Sequence, residues 1–369
     1  MPSSLRTTGI CIVVAASTDQ GWAQVRATGD DGSCGVGLWG CTALLGGDRR
    51  AGDDWASGLN CCILSIGTLC ANITIFSEKV EIKKPYIILE GDRDQQTVIQ
   101  YGDGGNVVTS PTFKLNADNF VARYIVFKNT YDNLPSKLDA SGVNTTWAPA
   151  AAINGDRASF YHCSFSSLQD TLTDAKGRHY FYDCKISGAI DFIWGNAQSI
   201  YENCQINSLA SKIAPRVGFI TAQARESPEE NTGFVFKNCH VTGSGPMYLG
   251  RAHTNHARVL FAGTTMDNVI RAEGWDGARF KGSENLISFS EANCRGPGAN
   301  MSKRVKWEKK LSDQEVLLAV YAFSSISSSG ADVGEGCSAI GDEKAFSDQI
   351  VAAAGHGSYG TGLFSEACG

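Results

Sequence analysis

Two aspartates hold equal positions in a phrase that the 369-residue chain repeats near its middle. In each copy a pair of aromatic residues precedes a cysteine, and these cysteines, Cys163 and Cys184, are 21 residues apart. An aspartate follows each cysteine at an offset of seven, Asp170 in the first copy and Asp191 in the second. A period near 20 residues is typical of a solenoid, whose successive turns stack equal positions on one another. We therefore expect the two carboxylates to be neighbours.

Such a pair could carry out acid, base or nucleophilic chemistry. Strands of adjacent turns lie about 4.8 Å apart. At that separation and an effective dielectric constant near 20, two like charges repel by about 3 kcal/mol, which separates their titrations by about two units. One carboxylate then stays ionised as a nucleophile while the other keeps its proton as a general acid. The alternative is a solvated aspartate pair in the turns of the solenoid.

Other residues nearby in the expected solenoid would complete such a site. Gln169 precedes the first aspartate and could donate a hydrogen bond to a developing oxyanion. Arg251 could hold a carboxylate with its planar guanidinium group. Trp194 and Trp275 could stack on a sugar ring, although a single tryptophan more often serves packing.

The repeated strands predict the fold. Four segments that read ASFYHCSF, HYFYDCKI, SIYENCQI and FVFKNCHV place cysteines at 163, 184, 204 and 239, at intervals of 21, 20 and 35 residues. Short strands with stacked Cys and Asn or Asp positions are typical of a parallel β-helix. We expect the cysteines to form a buried ladder of small apolar groups rather than disulfides or a metal site.

A helix signal follows the strands. Ser312 and Glu315 form an S-x-x-E capping box, and Leu311 and Val316 are spaced for a hydrophobic staple. These residues predict a helix from about Asp313 to Phe323 that covers the end or side of the solenoid.

Composition excludes several classes of function. Charged residues make up 19% of the chain and the net charge is −6, so no basic surface for nucleic acid is indicated. The apolar run 9–16 resembles a short signal segment and is too short to span a membrane. No C-x-x-C pair occurs among the 13 cysteines, so zinc ribbons and thioredoxin-type sites find no support.

Several motifs resemble the plant pectin methylesterase family of carbohydrate esterases. These are QDTL at 169–172, DFIWGN at 191–196, GFITAQ at 218–223, YLGRA at 248–252 and EGW ending at 275. The resemblance runs from about Glu78 to about Leu318. It implies an all-β, right-handed parallel β-helix with a short C-terminal helix. It also implies hydrolysis of galacturonate methyl esters in pectin, with release of methanol.

The resemblance also implies a role for each site residue. Asp191 would be the nucleophile, and Asp170 would protonate the departing methanol and then activate water. Gln169 would stabilise the oxyanion, Arg251 would hold Asp191, and Thr112 would touch the substrate.

Further implications concern binding and location. Trp194, Trp275 and His253 would contact the sugar chain, with His253 standing where the family usually has tryptophan. No metal or organic cofactor is implied. The expected partners are pectin and a proteinaceous pectinesterase inhibitor, and neither nucleic acid nor a membrane. We expect a secreted, monomeric cell-wall enzyme, although the sequence shows no clear signal peptide.

The sequence departs from the family pattern at two places. The family usually has a second oxyanion glutamine in the segment that corresponds to 147–152, which here reads WAPAAA. The first part of the chain also lacks a counterpart. We therefore divide the chain into an unmatched, poorly packed segment at 1–76, a catalytic β-helix at 77–323 and a low-complexity tail at 324–369.

Two alternative functions stay open. A catalytically impaired homologue that binds pectin or sequesters an inhibitor is favoured by the absent glutamine and by His253. A pectate lyase or polygalacturonase could also use this fold, but a lyase would need several carboxylates around calcium with a basic residue as proton acceptor.

Overall fold

The chain winds into a right-handed parallel β-helix. A computed structural model describes residues 62–65, 73–131 and 145–323, with the backbone alone described at 62–65. Each full turn contributes one strand to each of three parallel sheets, of nine, eight and eight strands. The right-handed parallel β-helix predicted from the repeats is confirmed.

The strands are numbered in chain order. The first sheet contains β1 Cys62–Ser65, β4 Ile87–Glu90, β7 Phe120–Arg123, β10 Ala158–Tyr161, β13 Arg178–Tyr182, β16 Gln198–Glu202, β19 Gly233–Lys237, β22 Arg258–Ala262 and β25 Ser288–Ala292. The second contains β2 Ile73–Ser77, β5 Gln96–Tyr101, β8 Ile125–Asn129, β11 Ser164–Ser166, β14 Lys185–Gly188, β17 Gln205–Leu209, β20 His240–Ser244 and β23 Thr265–Met266. The third contains β3 Val80–Ile82, β6 Phe113–Leu115, β9 Ala151–Ile153, β12 Leu172–Asp174, β15 Ile193–Gly195, β18 Gly218–Gln223, β21 Met247–Arg251 and β24 Trp275–Asp276. Short 3-10 helices span Ala210–Ile213, Ala278–Phe280, Glu284–Leu286, Pro297–Ala299 and Met301–Lys303.

An aromatic stack along the interior holds successive turns in register. Phe160 lies on Phe181 with ring centroids 5.0 Å apart, and Phe181 lies on Tyr201 at 4.6 Å. The stack continues through Phe236 and Phe261 at 4.6 and 4.3 Å. The rings are within 11° of parallel, and all five are fully buried. Because side chains of a strand alternate between faces, a register slip of one residue would eject this stack from the core.

The cysteines form a second ladder beside the aromatic stack. The four predicted members are buried and, like Cys294, carry free thiols. Thiols of this ladder donate to backbone carbonyls of the preceding turn. Cys184 donates to the Phe160 carbonyl at 3.3 Å, and Cys239 donates to the Tyr201 carbonyl at 3.2 Å. Burial raises the pKa of the Cys184 and Cys239 thiols, so both stay protonated. The prediction of a buried ladder without disulfides is confirmed for these residues.

Left-handed residues make the bend between the first and second sheets. The residue before each ladder cysteine has a positive φ, for example 48° at Asp183, 55° at Asn203 and 53° at Asn238. Asp and Asn adopt this conformation at lower cost than most residues because their short polar side chains bond locally. The tight bend therefore explains why Asp or Asn recurs at the position before the cysteine.

The predicted helix, α1, covers the outside of the first sheet. It occupies 313–323 within the described residues. The capping box is present, since Glu315 N donates to Ser312 Oγ at 3.3 Å and Ser312 N donates to Glu315 Oε2 at 2.7 Å. Leu311 and Val316 pack with Phe323 against apolar side chains of this sheet. The expected helix boundaries and staple are thus observed.

The solenoid begins earlier than the boundary at residue 77 that the sequence suggested. Strand β1 pairs with β4, and β2 pairs with β5, both in parallel. In β2, Thr74 and Phe76 are buried while Ile73 and Ile75 are exposed, so this strand alternates as a half-buried strand should. The sequence pattern did not predict strand β2 because apolar residues occur on both of its faces.

Other expectations fall outside the described residues. These concern the apolar run 9–16 and the tail 324–369. Within the described part of the chain, no helix has the length and apolar character needed to cross a membrane.

Candidate active site

The β-helix places Asp170 and Asp191 at the same corner of adjacent turns. Gln169 pairs with Ile190 in a parallel bridge, and Leu172 at the start of β12 pairs with Ile193 of β15. The two aspartates therefore occupy equivalent positions, as predicted. Their φ angles are 58° and 48°, a left-handed conformation that occurs most often at functional or sharply turning positions.

Arg251 fixes Asp191. Its Nε donates to Asp191 Oδ1 at 2.8 Å, and its Nη2 donates to Asp191 Oδ2, so the guanidinium group grips both carboxylate oxygens. The other side of the guanidinium group faces the Phe219 ring, 4.4 Å from its centroid. The hydrogen bond to Asp191 raises the pKa of Arg251. The predicted pair between arginine and aspartate is present in the geometry.

Asp170 lies in a different environment. It is 6% exposed, and no hydrogen bond to its side chain occurs within the described residues. Burial, and secondly the charge of Asp191, raise the pKa of Asp170 to about 8, while the charge of Arg251 opposes this rise. At neutral pH Asp170 therefore keeps its proton, beside the Asp191 side chain that Arg251 holds.

Both aspartates open into a cleft along the third sheet. Gln169, Trp194, Arg251 and His253 also line it. The outward positions of this sheet form a row, in which Trp194 pairs with Ala222 and Arg251 pairs with Asp276. Ala222, a small side chain in this row, also lines the cleft.

A glycine lets the arginine strand lie close to its neighbour. A Cβ atom at Gly250 would come within 2.0 Å of Thr221 Oγ1. The Thr221 hydroxyl donates to the Leu249 carbonyl at 2.9 Å, so this contact locks β21 against β18. The glycine of the LGR motif therefore helps to position Arg251, because it allows β21 to approach β18 closely.

Trp194 and His253 lie next to each other in the lining of the cleft. Their ring centroids are 6.0 Å apart, and Trp194 Nε1 donates to Thr173 Oγ1 at 2.9 Å. Burial, followed by the charge of Arg279, lowers the pKa of His253. The histidine is therefore neutral at neutral pH and presents a polar ring to the cleft.

Two predicted substrate contacts are wrong in this structure. Thr112 is 0% exposed, and its hydroxyl donates to the Lys128 carbonyl at 3.1 Å, inside the wall of the solenoid. Trp275 is 1% exposed and packs on Phe289 at 4.6 Å between ring centroids. Trp275 pairs with the inward-facing Gly250, so it enters the core, whereas its neighbour Asp276 reaches the cleft.

Three polar or aromatic residues of the cleft are not predicted from the sequence. Trp147, Asp276 and Arg279 all line it. Asp276 could have been found from the register, because it pairs with Arg251 across adjacent strands. Arg279 and Trp147 lie outside the strands, where the periodicity of the chain gives no signal.

The described residues contain no group of three or more His, Cys, Asp or Glu side chains with a geometry suited to a metal ion. The groups among which the two aspartates lie include the Gln169 amide and the Arg251 guanidinium group, and one of the two carboxyl groups is protonated. This set is suited to acyl transfer, in which a carboxylate attacks a carbonyl carbon and an acid protonates the leaving oxygen.

Comparisons with known proteins agree with this chemistry. The Pectinesterase family model matches residues 69–325. Probable pectinesterase 29 of Arabidopsis thaliana is 44% identical over 245 residues, which are 66% of this chain and 73% of that protein. Probable pectinesterase 55 of the same plant is 42% identical over 245 residues, with 66% and 74% covered.

Solved structures show the same fold. The pectin methylesterase from carrot superposes with a TM-score of 0.63 at 24% sequence identity, over 77% of this chain and 89% of that one. The superposition supports the β-helical architecture.

Proposed function

The chain belongs to the pectinesterase family, and from this membership we propose that it hydrolyses galacturonate methyl esters in pectin through a covalent two-aspartate mechanism. The reaction class, carboxylic ester hydrolysis, follows from the family. The observation that carries the mechanism is the contrast between its carboxyl groups: Asp191 is held by Arg251, and Asp170 is buried with a pKa of about 8.

In the first half of the reaction, Asp191 attacks the carbonyl carbon of the ester. The carbonyl oxygen becomes an oxyanion, and Gln169, which lines the cleft, donates a hydrogen bond to it. When the intermediate collapses, the bond to the methoxy oxygen breaks, and Asp170 gives its proton to that oxygen. Methanol leaves, and an anhydride joins the galacturonyl group to Asp191.

In the second half, Asp170 is a carboxylate and acts as the base. It takes a proton from water, whose oxygen attacks the galacturonyl carbon, and the bond to Asp191 breaks. Asp191 returns to its ionised form, which Arg251 stabilises. The product is the free galacturonic acid, which loses its proton to solvent, and Asp170 is again protonated for the next cycle.

We propose pectin as the substrate and Trp194 and His253 as sugar contacts, because their rings border the cleft beside Asp191. The family of plant cell-wall enzymes supports an extracellular site of action. From the same family membership, we also propose that the protein is a monomer and that a proteinaceous inhibitor binds it.

A catalytically impaired pectin-binding homologue is the second candidate. The segment 147–152 without glutamine and the presence of His253 favour it. The two candidates differ in turnover, so purified protein should be mixed with methylated pectin and assayed for methanol. We expect methanol, no unsaturated sugar product, and the same rate after EDTA treatment. Binding without methanol would support the impaired homologue, and an unsaturated product lost in EDTA and restored by calcium would support a lyase.

A further inference from the structure

The oxyanion of the proposed reaction has room for more donors than the one amide assigned to it above. Asp170 has one proton, and it goes to the methoxy oxygen. Arg251 already donates two N–H groups to Asp191. Of the residues assigned above, Gln169 is the one given to the oxyanion, which has room for at least two hydrogen bonds, and such preorganised donors usually make the largest contribution to this kind of catalysis.

The two tryptophans of the cleft differ in whether their indole N–H is free. The Trp194 N–H is occupied, because it donates to Thr173 Oγ1 at 2.9 Å. Trp147 also lines the cleft, is 51% exposed, and has no hydrogen-bond partner for its indole N–H in the described part of the chain. Since tryptophan can only donate, a free indole N–H in a cleft is suited to an acceptor from the substrate.

The backbone places Trp147 beside Gln169. The next residue, Ala148, donates its N–H to the Gln169 carbonyl at 3.4 Å. Gln169 pairs in turn with Ile190, the residue before Asp191. Trp147, Gln169 and Asp191 thus belong to three successive turns, each about 4.8 Å from the next. A long indole side chain on the first turn shares the cleft with the amide on the second and the nucleophile on the third.

We propose that the Trp147 indole N–H is the second donor to the oxyanion, which makes Trp147 a catalytic residue of this chain. This inference rests on the proposed function. With Trp147 as the second donor, the oxyanion is stabilised although residues 147–152 contain no glutamine, and the two aspartates, Gln169 and Arg251 keep their roles. The competing role for Trp147 is to stack its flat face on a sugar ring, which would affect binding rather than turnover.

Two substitutions separate these roles. Trp147→Phe keeps an aromatic ring and removes the donor, whereas Trp147→Gln keeps a donor and removes the ring. Because the side chain is half exposed, neither change opens a cavity in the core, and thermal unfolding of each variant verifies this. The assay is methanol release from methylated pectin, with kcat and KM determined separately.

The donor role predicts that Trp147→Phe lowers kcat by about 10²-fold with little change in KM, and that Trp147→Gln retains more of kcat than Trp147→Phe does. The inference is overturned if Trp147→Phe keeps the wild-type kcat, or if Trp147→Phe exceeds Trp147→Gln and the loss lies in KM. Failure of the proposed function looks different, because then the unaltered protein itself releases no methanol.

Discussion

At the scale of single residues, burial raises the pKa of Asp170 more than the charge of the neighbouring Asp191 does. From the sequence, the repulsion between the two aspartate charges was expected to separate their pKa values. In the structure, loss of solvent is the largest cause of the raised pKa of Asp170, and the charge of Asp191 comes second. The difference matters because burial raises the pKa of Asp170 whether or not Asp191 is ionised. Burial thus supplies the acid, and Arg251 preserves the nucleophile.

The raised pKa has a consequence for stability. The folded pKa of Asp170 is about 8 and the ordinary value is 3.8, so between these pH values the folded protein holds a proton that the unfolded chain has lost. The contribution of Asp170 to the free energy of unfolding therefore falls as pH rises from about 4 to about 8. Asp170→Asn cannot ionise, and we expect it to become more stable relative to wild type across this window, by on the order of a few kcal/mol.

Urea unfolding of both proteins at several pH values measures this difference. Asp94→Asn, in an exposed turn, is the matched control and should show no such trend. A difference between Asp170→Asn and wild type that stays constant from about pH 4 to about pH 8 would contradict the burial argument.

Arg251 should not be replaceable by lysine. Lysine keeps the charge but cannot bond both oxygens of Asp191 with a planar fork. A hydrogen bond to a charged group contributes about 1.5 to 3 kcal/mol, so we expect Arg251→Lys to lower kcat by about 10- to 10²-fold. Steady-state methanol release measures this. Arg295→Lys, an exposed arginine that bonds Thr265, is the control, and equal rates in the two variants would refute the role of Arg251.

At the scale of elements, the repeats predict the strands well because they encode the interior. Positions such as Phe160 and Phe181 recur at the solenoid period, and the structure stacks them at 5.0 Å. The cleft was less predictable because its residues depend on the direction of each side chain. Trp275 and Asp276 are adjacent, yet one enters the core and the other lines the cleft, and only the pairing with β21 decides which. Trp147 precedes its strand, where no period applies.

The cap of α1 provides a test at this scale. Ser312→Ala removes the side-chain oxygen that accepts from Glu315 N and the hydroxyl that donates to Glu315 Oε2. Loss of an N-cap costs about 0.5 to 2 kcal/mol, so the amides of 313–323 should exchange faster with solvent hydrogen. Hydrogen exchange measures this, with the exposed Gln314→Ala as control. Equal exchange in both variants would show that packing against the first sheet, rather than the cap, holds the helix.

At the scale of the whole molecule, the β-helix is a rigid support that brings distant parts of the sequence to one cleft. Asp191 and Arg251 are 60 residues apart in the chain and meet because their turns are stacked. No strand by itself contains the site, since three different turns supply it: one carries Gln169 and Asp170, and the other two carry Asp191 and Arg251. The architecture and the reaction therefore depend on the same register.

The most direct test of the central claim compares wild type with Asp191→Asn for methanol release from methylated pectin. Asparagine has nearly the shape of aspartate but is a poor nucleophile, so the variant should stay folded, retain binding to pectin and release no methanol above background. Circular dichroism and pectin co-sedimentation establish that the variant is intact. Methanol release by folded Asp191→Asn at a rate near that of wild type would contradict the assignment of Asp191 as the nucleophile.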